Sequence, residues 1–183
     1  MADISRTAPF DQAVVVADAA LRAVCVRGLG HYDRERADAV RGEVLAAARR
    51  SAHGFSRSTR VMGFADGRAQ LPGESVSRIR LHAVGFRSIR LQVPVRAPGT
   101  TYYVDFGLEE ADAFGEFDGA VKYVDGRMTD GRTAAEVLDR EKQREDWIRG
   151  STQRRLARWG WPHIATAATL GARLAAFGIH PPS

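Results

Sequence analysis

Ile89-Arg90-Leu91-Gln92-Val93-Pro94-Val95-Arg96 is where the chain changes period. Apolar residues upstream recur at helical spacing. Here Ile89, Leu91, Val93 and Val95 alternate with Arg90, Gln92, Pro94 and Arg96, the pattern of a strand buried on one face only. Pro94 has no N–H to give to a ladder, which puts this strand at a sheet edge or at a bulge. Ala97-Pro98-Gly99 is a turn. Thr101 to Phe106 and Ala113 to Asp118 follow as strands, with Gly107 to Asp112 between them.

Upstream, residues 74–83 read as a helix with Val76, Ile79 and Leu81 as apolar positions. Downstream, a helix starts at Thr133, where Glu136 completes a Thr-x-x-Glu capping box, and runs to about Arg149. Gln153 to Trp159 reads as a fourth strand and Pro162 to Phe177 as a last helix. The order helix, three strands, helix, strand, helix is that of an α/β domain with a four-stranded mixed sheet. The N-terminal residues 1–71 form a separate helical region, and the α/β domain occupies 72–183. Within the helical region, Phe10, Ala13, Val14, Ala17, Leu21 and Val24 mark a helix over 9–26, ended by Gly28 and Gly30. A second helix runs from about Asp33 to Ser51. The stretch 55–71 fits either a short helix or a covering segment.

The chain has 183 residues, a net charge of +5 and one cysteine, Cys25. That cysteine count excludes a disulfide framework and suits a reducing, cytoplasmic setting. No apolar run reaches membrane-spanning length, and residues 1–20 do not read as a signal peptide. The start at Met1-Ala2-Asp3-Ile4 is compatible with a shortened or a naturally short form. The basic balance favours a polyanionic partner such as DNA. Five histidines without ligand spacing argue against zinc, and there is no Gly-rich phosphate loop or nucleophile elbow.

Chemistry concentrates in Phe114-Gly115-Glu116-Phe117-Asp118-Gly119-Ala120-Val121-Lys122-Tyr123 and in Asp105 of the preceding strand. Asp105 and Glu116 sit on strands joined by a hairpin-length connection, so they can lie side by side and hold a divalent metal. Of 27 basic residues only Lys122 and Lys142 are lysines. An ammonium is more easily tuned than a guanidinium, which makes both candidates for the site.

The element order, together with Pro72 to Arg78, Val104-Asp105-Phe106, Gly115 to Tyr123, Glu141 to Asp146 and the arginine–tryptophan run ending at Trp161, resembles the PD-(D/E)XK nuclease superfamily. Within it the likeness is to very-short-patch-repair-type endonuclease domains, as found in actinobacterial relatives of AbiEi-type antitoxins. The resemblance covers about residues 72–177. It implies a restriction-endonuclease-like core and magnesium- or manganese-dependent hydrolysis of DNA phosphodiesters. By it, Asp105 and Glu116 bind the ion, and Glu74 completes the acidic shell from the preceding helix. It also implies an upstream DNA-binding segment or a toxin-type partner.

The family's lysine position, two residues after the strand acid, is here Asp118. The missing ammonium then comes from Lys122 or Lys142, or the domain keeps the fold without cleaving and serves as a nucleic-acid or protein-binding, antitoxin-like module. Arg154, Arg155 and Arg158 are the expected phosphate contacts. The competing readings are plain. Lys142, Glu145, Asp146 and Arg149 also suit a salt-bridged exposed helix face, Asp118-Gly119 is a turn signal, and Glu74 suits a helix's first turn.

Overall fold

The computed structural model describes residues 1–28, 30–119 and 134–182. The chain separates into two compact units, Met1–Ile79 and Arg80–Ser183.

In the first unit, α1 (Ala2–Thr7) and α2 (Phe10–Cys25) lead into a two-stranded hairpin of β1 (Val26–Gly28) and β2 (His31–Tyr32). α3 (Arg34–Arg49) and α4 (Phe55–Phe64) follow, and α5 (Pro72–Val84) runs across the division between the units. The periodic positions of α2 make the core: Ala13, Val14, Ala17 and Leu21 pack with Ala37 and Val44 of α3 and with Val61 and Met62 of α4. One buried charge is met within this core. Asp18, 1% exposed, accepts from Arg78 Nη2 on both oxygens, at 2.9 and 3.0 Å, and from the Asp66 N–H at 2.7 Å. Burial pushes the Asp18 carboxyl above its usual range, and Arg78 opposes that. Past α2 the chain enters β1, which ends at Gly28, rather than simply ending a helix there. The segment from residue 55 resolves as α4 followed by a loop.

The second unit holds a sheet of order β3-β4-β5-β6, formed by Ile89–Ala97, Thr100–Leu108, Ala113–Phe117 and Arg155–Trp159. The first three strands are antiparallel neighbours, and β6 lies parallel to β5. The chain is thus mixed α/β with a four-stranded mixed sheet, and Pro94 lies on an edge strand as its missing N–H requires. α6 (Ala134–Thr152) lies between β5 and β6 in sequence. The expected last helix splits into a 3₁₀ turn (Trp161–Ile164) and α7 (Ala167–Ala175), because Thr166 caps a new helix by accepting from Thr169 N–H. The outer edge of β6 offers no open ladder at two of its carbonyls. Arg149 donates to Leu156 O and Arg173 to Arg158 O, each at 2.9 Å.

The sheet buries both faces, and the two faces exchange residues part-way along β3 and β4. Val93, Val95 and Val104 pack with Phe114, Leu156 and Ile148 of α6 on one side. Phe106, only two residues past Val104, instead stacks on Trp159 at 5.5 Å on the other side. Strict alternation would keep Val104 and Phe106 on one face. The break falls at Asp105 in β4 and at Gln92 in β3, whose φ of 51° lies in the left-handed region.

Trp159 is also held by a missing side chain. A Cβ on Gly115 would stand 2.2 Å from the indole, so only glycine fits beneath the ring. Gly115→Ala should lower stability by about 1–3 kcal/mol or more through overpacking. Urea unfolding followed by tryptophan fluorescence checks this, and a midpoint equal to the parent's would contradict it.

Candidate functional site

The face switch at Asp105 decides what that acid can do. Its Oδ2 accepts the Phe117 N–H at 2.9 Å, in place of a backbone carbonyl, where the β4–β5 pairing has ended at Phe106 opposite Gly115. Gln92 Nε2 approaches its other oxygen at 3.4 Å. The carboxyl is raised from 3.8 to about 6, first by burial and then by the charge of Glu116; the Phe117 N–H and Arg144 act against the rise. Asp105 and Glu116 are neighbours across two strands, as the hairpin spacing predicts.

Glu116 has a different fate. It sits in β5 directly beside Arg158 of β6, and it is 8% exposed. Arg144 of α6 donates to its Oε1, and Arg158 Nη2 lies 2.9 Å from its Oε2. Both carboxylate oxygens are thereby occupied by guanidinium groups. Arg144 also donates to Tyr103 O at 2.8 Å and to Glu141 at 3.0 Å, and Arg158 donates to the same Glu141 oxygen. Glu145 Oε2 stands 3.5 Å from Arg158 Nε, and Glu145 Oε1 accepts from Arg149 Nε at 2.8 Å. Mutual pairing with these acids holds Arg144 and Arg158 above their usual range, against the cost of burial. The result is one network linking β5, β6 and α6, with Glu116 at its centre.

Comparison of the chain with protein-family models, with curated proteins and with solved structures found no match.

The other candidates read from the sequence have their own surroundings. Glu74 belongs to the first unit, is buried, and accepts the Gln70 N–H at 2.9 Å near the start of α5. Asp118 lies beyond the end of β5 and is exposed; its N–H donates to Trp159 O at 2.8 Å. Lys122 lies outside the described residues. Lys142 is exposed on α6, and so is Leu138, at 63%. Arg154 pairs with Asp112 at 2.7 Å and with Glu109 at 3.3 Å, its guanidinium over the Phe114 ring. Arg155 donates to Gly178 O. Arg158 is in the Glu116 network. These three arginines, expected to meet phosphates, all have partners within the chain.

A magnesium-type ion needs several free oxygens around it, usually from one or two carboxylates with water or phosphate completing the shell. Each Glu116 oxygen already meets a guanidinium group. Among the described residues no group of three His, Cys, Asp or Glu is placed to hold a metal. As arranged, the donor set fits arginine rather than a divalent cation.

The residues missed in sequence are Arg144 and Glu141. The signal was available in Ile148, a buried apolar residue of α6. Counting back three, four and seven positions from Ile148 gives Glu145, Arg144 and Glu141, the face that meets the sheet.

The state of Asp105 gives a pH prediction. Its folded value, about 6, lies above its ordinary 3.8, so its contribution to stability is complete below about pH 4 and is lost as the pH rises through 6. Asp105→Asn should therefore raise the thermal midpoint above pH 6 and flatten its dependence between about pH 4 and 7, by at most about 3 kcal/mol. Melting curves across that range test it, and a variant less stable than the parent at pH 8 would contradict it.

Proposed function

We propose that this chain is a binding protein whose C-terminal unit is a restriction-endonuclease-like module that does not cleave. The observation that carries the reading is the pair of guanidinium groups on Glu116. In a metal-dependent nuclease the carboxylates leave oxygens for the ion, and the ion polarises the phosphoryl group and its bound water. Here Arg144 and Arg158 supply the positive charge at Glu116. Arginine stays protonated at any accessible pH and offers no open coordination position for water or phosphate. Asp118 at the family's lysine position, and Lys142 exposed on α6, are consistent with this loss.

The partner class follows from charge. Twenty-seven basic against 22 acidic residues, nearly all the bases arginine, favours a polyanion, and nucleic acid is the simplest one. No helix among the described residues is long and apolar enough to cross a membrane. A toxin-type protein partner, as the family resemblance implies, belongs to the same binding reading.

Metal-dependent hydrolysis of DNA is the second reading, favoured by the adjacency of Asp105 and Glu116 on neighbouring strands. It requires both arginines to leave Glu116. Incubation of supercoiled plasmid and single-stranded DNA with magnesium or manganese separates the two. The binding reading expects no nicking above that of the Asp105→Ala variant. Cleavage that needs the metal and disappears in Asp105→Ala would establish the nuclease instead.

A further inference from the structure

Residues 44–65 contain Arg49, Arg50, Arg57 and Arg60, and no acid. They form the end of α3, a turn, and α4, all within the first unit. α4 turns Ser58, Val61 and Met62 inward, and Ser5 of α1 meets Ser58 at 2.6 Å between hydroxyls. The opposite face of α4 carries Ser56, Arg57, Thr59, Arg60 and Gly63, all exposed, with Arg49 and Arg50 exposed at the end of α3.

Arg49, Arg57 and Arg60 of this face are held by aromatic rings and by a carbonyl. Arg49 lies over the Phe55 ring at 4.9 Å and Arg60 over the Phe10 ring at 4.4 Å, while Arg57 donates to Thr7 O at 3.1 Å. Such contacts restrain the side chains without cancelling their charge. Asp3 of α1 is paired with Arg6 at 2.7 Å, whose other nitrogen fastens the turn by donating to His53 O. The turn also depends on Gly54, whose φ of 87° and approach to Arg6 admit no side chain. Arg144, Arg154 and Arg158 of the second unit contrast with this, since each meets carboxylates.

Gly63 adds a second observation. A Cβ there would meet nothing within 4 Å, so packing does not require glycine. Inside a helix it costs about 1 kcal/mol relative to alanine. A bare backbone on an exposed face admits close approach of a partner.

We propose that the outward face of α4, with Arg49 and Arg50 before it, is a docking surface for double-stranded DNA. It rests on the binding reading for its choice of a nucleic-acid partner, and it holds whatever the state of the Asp105–Glu116 pair. A ten-residue helix is about 15 Å long, and the major groove of B-form DNA, about 12 Å wide, admits one. The major groove of A-form RNA is too deep and narrow for side chains to read. Serine, threonine and arginine are the side chains that bond phosphates and base edges. A lipid surface is the poorer fit, because helices that lie on membranes present large apolar side chains to them and this face has none.

The test uses the full chain, a labelled mixed-sequence DNA duplex of about two helical turns, the matching RNA duplex and phosphatidylserine vesicles, with fluorescence anisotropy or co-sedimentation across a potassium chloride series. DNA should bind more tightly than RNA, and vesicles should not bind. Arg50→Ala and Arg57→Ala should each weaken DNA binding severalfold and reduce the log–log salt slope by about 0.9. Ser56→Glu, which adds an acid to the exposed face, should weaken it more than tenfold, and Arg140→Ala on α6 should change neither quantity. Circular dichroism confirms that each variant is folded. DNA binding that is unchanged, in strength and slope, in folded Arg50→Ala and Ser56→Glu would overturn this surface while leaving the binding reading in place. Preference for RNA or vesicles, or no DNA binding by the parent at low salt, would also overturn it. Metal-dependent cleavage would overturn the non-catalytic reading and leave the α4 surface standing.

Discussion

Two guanidinium groups share one carboxylate in the C-terminal unit, and the second unit's organisation depends on that contact. Glu116 is almost fully buried, so its charge would be expensive without a partner. Arg158 comes from the adjacent parallel strand and Arg144 from α6, the helix that precedes that strand. One acid therefore fixes where β6 and α6 meet β5. Glu141 and Glu145 take up the charge that Glu116 leaves on the two arginines. Replacing such a network with apolar groups can be neutral, but removing a single member leaves a buried charge uncompensated, at about 3–5 kcal/mol. That asymmetry makes the network resistant to piecemeal change.

The second constraint is the face switch at Gln92 and Asp105. If β3 and β4 alternated without interruption, Asp105 would stand on a sheet face. The break places its carboxylate at the β4–β5 seam instead, where it bonds a backbone N–H and feels the charge of Glu116. Gln92 holds a conformation that side chains other than glycine seldom adopt, which costs of order 1 kcal/mol or more. Residues kept in such conformations are over-determined by their surroundings, here by the packing of Val93 and Val104 toward α6 and of Phe106 toward Trp159. The two acids are thus adjacent yet chemically unlike. One is raised in pKa with no arginine bonded to it, and the other is bound on both oxygens.

Much of this fold was legible in the sequence because it is encoded locally. Alternation from Ile89 to Val95 gave the edge strand, Pro94 gave its position, and the short connection between Asp105 and Glu116 gave their adjacency. What could not be read was set by packing at a distance. Nothing local marks a face switch at Asp105, since its cause is the division of Val104 and Phe106 between two layers. For α6 the sequence leaves two readings of the Lys142 face, toward the site or salt-bridged and exposed; Lys142 is exposed, and the buried Ile148 marks the side that meets the sheet. Arg158 reads as a phosphate contact from its place among the basic residues of the fourth strand; its register opposite Glu116 makes it an internal partner. The short α1 and the hairpin after α2 were missed because each is too brief to show a period.

The central claim is that arginine, and not a metal ion, neutralises Glu116. It is tested most directly by a double-mutant cycle between Glu116→Gln and Arg158→Leu, measured by urea unfolding in EDTA and again in magnesium or manganese. The account predicts a coupling energy of about 2 kcal/mol or more in EDTA, unchanged by either metal. Coupling near zero in EDTA, or coupling that vanishes when the metal is added while the parent gains stability, would contradict it.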